Sequence, residues 1–530
     1  MLSFPPARAS CGLLCSLLLF GFVGCGGDHS QTRAATLAAG AQETRQGLSY
    51  DVYLESEVDG ETIAFTVHEP DMLQVGAAYP LLLHSHGYSG TRTNAEQRAT
   101  GSESFDGRVL SSGYGILSLD ERGHGESGGL IRVLDPDYAG ADWLQVLDWA
   151  EANLPWVAAP NGPDGEANLL LGAYGGSYGG GFQQLIYRID PKDRLDVMAP
   201  DITWYDLNDS LYPNRVFKTY WGTLLSAGGN VIANGQHPEV NAGLALGLAA
   251  NQLTAEQQFL LYRNSLAYNC EGNGRPLRPI DALYSQSAID TLFNFNEAIN
   301  NVDCVGALGG DVRLMVKPSG HSGGEHSRCG ALELDDARFA FFEEHLYNRK
   351  GAADAVPQYC FHLDAGGDAA IILDEIPRGA KQPQSAAVEV EASNVVLHEA
   401  ADQLSGPVVM DLGIEISRPQ ALVGLPHIQL AVRDPILGLE GLGDPILFAA
   451  IGRSSDGGAS WEALMDQYQP FRGYGVFTDD MVGLSVSLEP GDRLALLIYP
   501  SQTTQYPSSG TLLPTLVNLS ASLRIPLVNR

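Results

Sequence analysis

The chain has 530 residues with 31 basic against 63 acidic side chains, a formal net charge of −32. That balance argues against nucleic acid as a partner and against attraction to anionic lipid headgroups; it fits a solvated acidic surface. A length of about 500 residues beyond the N-terminal segment is long for one domain and comfortable for two.

Met1–Gly24 carries one basic residue, Arg8, and an apolar run from Leu13 to Val23 that is too short to span a bilayer. It fits the h-region of a secretory signal. Phe22-Val23-Gly24-Cys25 resembles a bacterial lipobox, which predicts lipid attachment at Cys25. Simple cleavage after Gly24 or Gly27 is the alternative. The expectation is a bacterial, exported chain held to a membrane, periplasmic or at the cell surface, through its lipid anchor only. Residues 25–47 are small and polar, as a tether would be. Of seven cysteines, Cys270, Cys304, Cys329 and Cys360 remain after the signal and Cys25. An even number in an exported chain predicts two disulfides, with three pairings open.

From residue 48 to about 380 the pattern is that of an α/β domain. Two alternating segments flank Asp59-Gly60, a hairpin signal. Apolar strands follow at 79–84, 115–120, 167–173, 195–199, 280–285 and 312–317, separated by helical patterns such as 142–154 and 336–346. Continuous apolar strands alternating with helices predict a mostly parallel sheet covered on both faces. Residues from about 206 to 270 break this rhythm with a helix-prone, aromatic stretch placed to form a lid. Residues 381–530 read as short strands parted by Gly, Pro, Asp and Ser, an antiparallel sandwich or jelly roll.

The most informative run is Gly175-Gly176-Ser177-Tyr178-Gly179, set between an apolar strand and a helix-forming segment. Strand, G-x-S-x-G, helix is the context of a nucleophile elbow. A serine hydroxyl needs a base, and the base needs an orienting acid. In the order Ser, Asp, His, the turn after strand 280–285 supplies Asp290, and the turn after strand 312–317 supplies His321. His326 is a rival base, and Asp281, Asp303 and Asp311 are rival acids. His84 and His86 form an H-x-H pair without a carboxylate-rich partner motif, which points to a structural or oxyanion-loop role rather than to metal. The Tyr178 amide is the first expected oxyanion donor, and the loop 86–90 supplies the second, the Tyr88 amide. Arg122 in the turn Asp120–Gly128 reads as ion-paired structure.

With these residues in place, the chain resembles the α/β-hydrolases, and more narrowly the Xaa-Pro dipeptidyl-peptidase-like and cocaine-esterase-like hydrolases. The resemblance rests on the elbow at Ser177, on Asp120-x-Arg-Gly-x-Gly-x-Ser127, on the Asp290-Thr-Leu-Phe turn and on the C-terminal β-region. It implies hydrolysis of esters or amides through an acyl-enzyme, with no cofactor or metal, by Ser177, Asp290 and His321, with Tyr88 serving the oxyanion. The histidine turn departs from the family's frequent Gly-Pro-Trp-x-His, reading Lys317-Pro318-Ser319-Gly320-His321. No segment is recognisable as a holder of a peptide's free amino terminus. The expected function is a serine hydrolase of small ester or amide substrates. An X-Pro dipeptidyl aminopeptidase and a non-catalytic surface lipoprotein that binds a partner or carbohydrate are the alternatives.

Overall fold

The computed structural model describes residues 44–160, 167–321, 327–363, 367–399, 406–435 and 444–530. The signal segment, Cys25, most of the tether and the rival base His326 lie outside the described residues. A short ribbon pairs β1 (Thr44–Gln46) with β4 (Met72–Gln74). Between them, β2 (Ser49–Glu55) and β3 (Thr62–His68) form the antiparallel hairpin, and its turn is closed by Gly60 at φ +78°.

The sheet continues with β5 (Leu81–Ser85), β6 (Gly115–Leu119), β7 (Leu171–Gly176), β8 (Leu195–Asp201), β9 (Asp281–Ser287) and β10 (Val312–Lys317). After a small hairpin of β11 (Arg328–Cys329) and β12 (Leu332–Glu333), β13 (Tyr359–His362) and β14 (Ala370–Leu373) complete it. The order is β14-β13-β10-β9-β8-β7-β5-β6-β3-β2. The seven strands from β13 to β6 are parallel; β14 at one edge and β3-β2 at the other are antiparallel. Leu81, Leu82 and Leu83 are all fully buried, as residues of a strand covered on both faces must be. Each such side chain contributes roughly 1.5–3 kcal/mol by leaving water.

The covering helices are α1 (Phe105–Ser111), α2 (Ala141–Asn153), α3 (Tyr178–Ile189), α9 (Phe295–Gly306) and α10 (Leu334–His345). Trp143 of α2 stacks on Phe182 of α3, their rings 4.7 Å apart and within 11° of parallel. Between β8 and β9 the chain forms five α-helices instead of a simple crossover: α4 (Leu207–Leu211), α5 (Thr219–Ala227), α6 (Pro238–Ala250), α7 (Ala255–Arg263) and α8 (Leu266–Cys270). Pro238 opens α6, Asn251 closes it in the left-handed region, and a Thr254–Gln257 capping box starts α7. The helical insertion predicted over 206–270 is therefore present.

Two expectations shift in detail. The strand expected at 167–173 runs from Leu171 to Gly176, because the parallel pairing with β8 carries the extended backbone through the glycines to the elbow. Strands β13 and β14, four residues each, are too short and too closely flanked by Gly and Asp to stand out in the sequence.

Beyond Val388, among the described residues, every strand pairing is antiparallel, in sheets of four, five and three strands around a second core that includes Leu430, Leu447, Leu496 and Leu519. This β-region shares packing with the α/β part: Ala421, Val423 and Leu425 belong to the core formed around the central sheet. Thr44–Arg530 cluster as one compact unit.

The disulfides are Cys270–Cys304, joining the end of α8 to α9, and Cys329–Cys360, joining β11 to β13. Replacing both Cys270 and Cys304 by Ala removes a cross-link spanning 34 residues, which in the chain-entropy account costs about 3–4 kcal/mol; guanidinium unfolding reads that loss. At the edge of the sheet away from the elbow, His345 lies between Asp281 (2.8 Å) and Asp311 (3.2 Å). Burial opposes its charge, but hydrogen bonds and attraction from both carboxylates prevail and raise it to about 9. A raised folded value stabilises fully below the unfolded histidine value of about 6.5 and is lost as pH climbs through 9. The unfolding midpoint of the wild type should therefore fall more between pH 6 and 10 than that of His345→Gln.

Candidate active site

Strand β7 runs into α3 through Ser177, whose backbone sits at φ +58°, ψ −118°. A non-glycine residue at such angles stores roughly 1–3 kcal/mol of strain and persists only where its surroundings enforce it. The Ser177 amide donates to Asp201 O at 2.9 Å, and Thr203 Oγ1 donates to Ser177 O at 3.0 Å. The next turn presses against the end of β5 and the start of the loop that follows it: a Cβ on Gly179 would lie 2.3 Å from Ser85 O and 3.2 Å from His86 O. Only glycine permits that approach.

Ser177 Oγ lies 2.9 Å from His321 Nε2, and His321 Nδ1 lies 2.7 Å from Asp290 Oδ2. These groups come from the ends of β7, β10 and β9, so one edge of the sheet gathers all three. The Asp290 carboxylate is fully buried, and its other oxygen accepts the amides of Leu292 (2.8 Å) and Phe293 (3.1 Å). With a carboxylate acceptor at Nδ1, the imidazole carries its proton there and turns a lone pair toward the serine hydroxyl. The rings of Phe293 and Trp221 stand edge-on to the imidazole at 5.0 and 5.4 Å.

The loop after Asp290 is fastened from two sides. From the insertion, Lys218 Nζ donates to Leu292 O at 2.9 Å and Trp221 Nε1 donates to Thr291 Oγ1 at 3.0 Å. From the β-region, Gln467 Nε2 donates to Asp290 O at 3.3 Å. Burial lowers the Lys218 ammonium to about 8, against the pull of Glu297 and Asp290. The sequence offered partial signals only. Trp221 stands out within the aromatic insertion, but nothing in the spacing places it over His321; Gln467 has no local mark at all.

Tyr178 is the first residue of α3, so its amide belongs to the turn whose donors lack helical acceptors. The loop 86–90 lies alongside the elbow. His86 Nδ1 pairs with Gly87 O at 2.8 Å, and His86 Nε2 accepts the Glu121 amide at 3.1 Å, which ties this loop to the turn at 120–128. The Tyr88 ring meets that of Tyr178 edge-on at 5.3 Å, and its hydroxyl accepts from Gln236 Nε2 at 2.5 Å. Glu121 is pushed by burial to about 8, with Trp143 Nε1 donating to it at 3.0 Å.

The competing residues have other partners. His84 faces Ser118 Oγ at 3.1 Å and the Tyr174 ring, and burial lowers it to about 4. Asp281 and Asp311 hold His345, and Asp303 pairs with Arg378. Arg122 pairs with Asp142 and Asp59. Among the described residues, no group of three or more His, Cys, Asp or Glu is arranged to hold a metal ion.

Next to Ser177, the insertion closes over a cavity of about 70 Å³ whose walls include Tyr178, Trp204, Leu211, Phe217, Leu244 and Phe293.

The model of the X-Pro dipeptidyl-peptidase (S15) family matches residues 59–323, half of the chain. A curated relative, a probable dipeptidyl-aminopeptidase B of Ajellomyces dermatitidis, is 25% identical over 175 residues; the match spans 32% of this chain and only 18% of that protein. Among solved structures, a CocE/NonD family hydrolase from Staphylococcus aureus superposes with a TM-score of 0.59 at 14% identity, covering 91% of this chain and 93% of that one. An alpha-amino acid ester hydrolase gives 0.59 at 14% identity, with 94% and 100% covered. An aminopeptidase from a marine sediment Thaumarchaeota archaeon gives 0.58 at 14% identity, with 91% and 97% covered. At these identities the structures speak for the shared fold alone. The match of the family model to half the chain, on an α/β-hydrolase fold with a serine at its elbow, makes this chain a member of the X-Pro dipeptidyl-peptidase (S15) family of serine-type hydrolases.

Proposed function

We propose that the protein hydrolyses small ester or amide substrates through an acyl-enzyme on Ser177, with His321 as general base and then general acid and Asp290 as the group that orients the ring. The observation that carries this reading is the unbroken chain from Ser177 Oγ through His321 to the buried Asp290 carboxylate, at 2.9 and 2.7 Å. In the first step the imidazole takes the serine proton as Oγ attacks the acyl carbon, and it then passes that proton to the leaving group. Water repeats the sequence on the acyl-enzyme and returns the serine. The oxyanion formed in each step receives the Tyr178 amide and a donor of the loop bearing Tyr88. Loss of one such donor costs about 3 kcal/mol of barrier. Release of X-Pro dipeptides is the second reading, favoured by the description of the matching family. The two disulfides support an exported setting, and the lipobox-like run Phe22-Val23-Gly24-Cys25 supports Cys25 as the site of lipid attachment.

A fluorophosphonate should label the purified protein at Ser177, and Ser177→Ala should lose the label while its circular dichroism is unchanged. Labelling that persists in that variant refutes the nucleophile assignment. Asp290→Asn preserves shape but disfavours the working tautomer, so kcat on a nitrophenyl ester should fall by about 10⁴.

A further inference from the structure

Resting on the Ser177 reading above, we infer that the acyl group accepted by this site is apolar and uncharged, seated in the cavity beneath the helical insertion. Leu207, Leu211, Phe217, Leu225, Leu244 and Leu253 form much of that cavity's wall, and the Ser177 hydroxyl opens into it.

The other lining groups able to accept from a cation are engaged or peripheral. Gln236 spends its amide on Tyr88 Oη and Leu225 O and accepts from Asn230 Nδ2. Gln257 accepts the Thr254 amide in the α7 capping box. Glu239, the one carboxylate among the lining residues, is exposed on the first turn of α6, at the rim. The acids behind the wall serve the backbone: the buried Glu297 accepts the amides of Tyr205 and Asp206, and the half-buried Asp206 caps α4. A substrate carrying a free ammonium group next to its acyl carbon would lose its hydration here, with the exposed Glu239 as the one carboxylate among the lining residues. An alkyl group of the same size gains from the same walls. The cavity is therefore matched to an alkyl acyl group rather than to one that bears a free ammonium beside its acyl carbon.

The size limit of this pocket is set partly by Gly243 on α6. A Cβ built there meets the Gln257 side chain at 3.5 Å, an ordinary contact, so Gly243→Ala fits the helix while taking space from the cavity.

The test uses the full chain and two series of substrates. With nitrophenol fixed as leaving group, acetyl, butyryl and hexanoyl esters are compared, and 2-methylbutyryl is set beside 2-aminobutyryl, which exchanges a methyl for an ammonium. At pH 6 the methyl compound should exceed the ammonium compound in kcat/KM by at least about 100-fold. With acetyl fixed and the alcohol varied, the spread should be smaller than in the acyl series. Gly243→Ala should lower the hexanoyl-to-acetyl ratio at least about tenfold. Equal or faster turnover of the 2-aminobutyryl ester, above all with dependence on Glu239 shown by Glu239→Gln, overturns the inference, as does selectivity that follows the alcohol. Fluorophosphonate labelling separates the two levels: with Ser177 labelled, such results sink the pocket assignment alone; without labelling, the nucleophile reading falls and the pocket assignment with it.

Discussion

The strained backbone of Ser177 is the constraint on which the rest of the site depends. Its side chain stands clear of the sheet because φ is held at +58°, and the fold holds it there with the Asp201 carbonyl, the Thr203 hydroxyl and the close fit of α3 against the loop after β5. Asp201 contributes again through its side chain. Its carboxylate is buried against Lys317 Nζ at 2.6 Å and Ser285 Oγ at 2.7 Å. Lys317 ends β10, four residues before His321, and Ser285 lies on β9, five residues before Asp290. Through its carbonyl and its carboxylate, Asp201 on β8 thus ties Ser177 to the strands β9 and β10 that lead to Asp290 and His321. Breaking one partner of a buried ion pair such as Asp201–Lys317 typically costs about 3–5 kcal/mol, since the other charge stays buried.

The elements above that edge are less uniform in origin. The insertion supplies Trp221 against the imidazole and Lys218 against the loop of Asp290, while the β-region supplies Gln467 to the same loop. Two parts of the chain remote in sequence therefore fix the position of one carboxylate. The insertion is itself fastened to the β-region: Ser509 Oγ donates to Phe217 O at 2.8 Å, and Tyr220 N donates to Gln505 O at 3.3 Å. Its far end is joined by Cys270–Cys304 to α9, the helix that follows Asp290.

Much of this was legible in the sequence. Apolar runs of five to seven residues between helical patterns can satisfy their backbone and bury both faces only in a parallel sheet, so its core followed from periodicity. Ser177 announced itself through the glycines that its neighbours require. Asp290 and His321 emerged from chain order and from their place just past strand ends. What stayed hidden depends on contacts between distant segments. Four cysteines allow three pairings, and only the packing of α8 on α9 and of β11 near β13 selects among them. Lys218 is one basic residue in an apolar stretch until folding brings the Leu292 carbonyl to it. The largely apolar wall of the cavity is equally a property of convergence, because it comes from loops and helices spread from Tyr88 to Phe293.

The reach of Gln467 into the loop of Asp290 bears on how this chain can be divided. A protein ending near residue 380 would keep Ser177, Asp290, His321 and the residues that line the cavity, yet the Asp290 carbonyl would lose its glutamine donor and Phe217 its serine. Leu425 would be missing from the α/β core and Gly483 from its close approach to Phe295, and apolar surface of that core would face water. The C-terminal third therefore acts as a buttress rather than a detachable accessory. Exchange of that part between relatives by recombination would be tolerated only when the donor brings side chains able to brace the same loop.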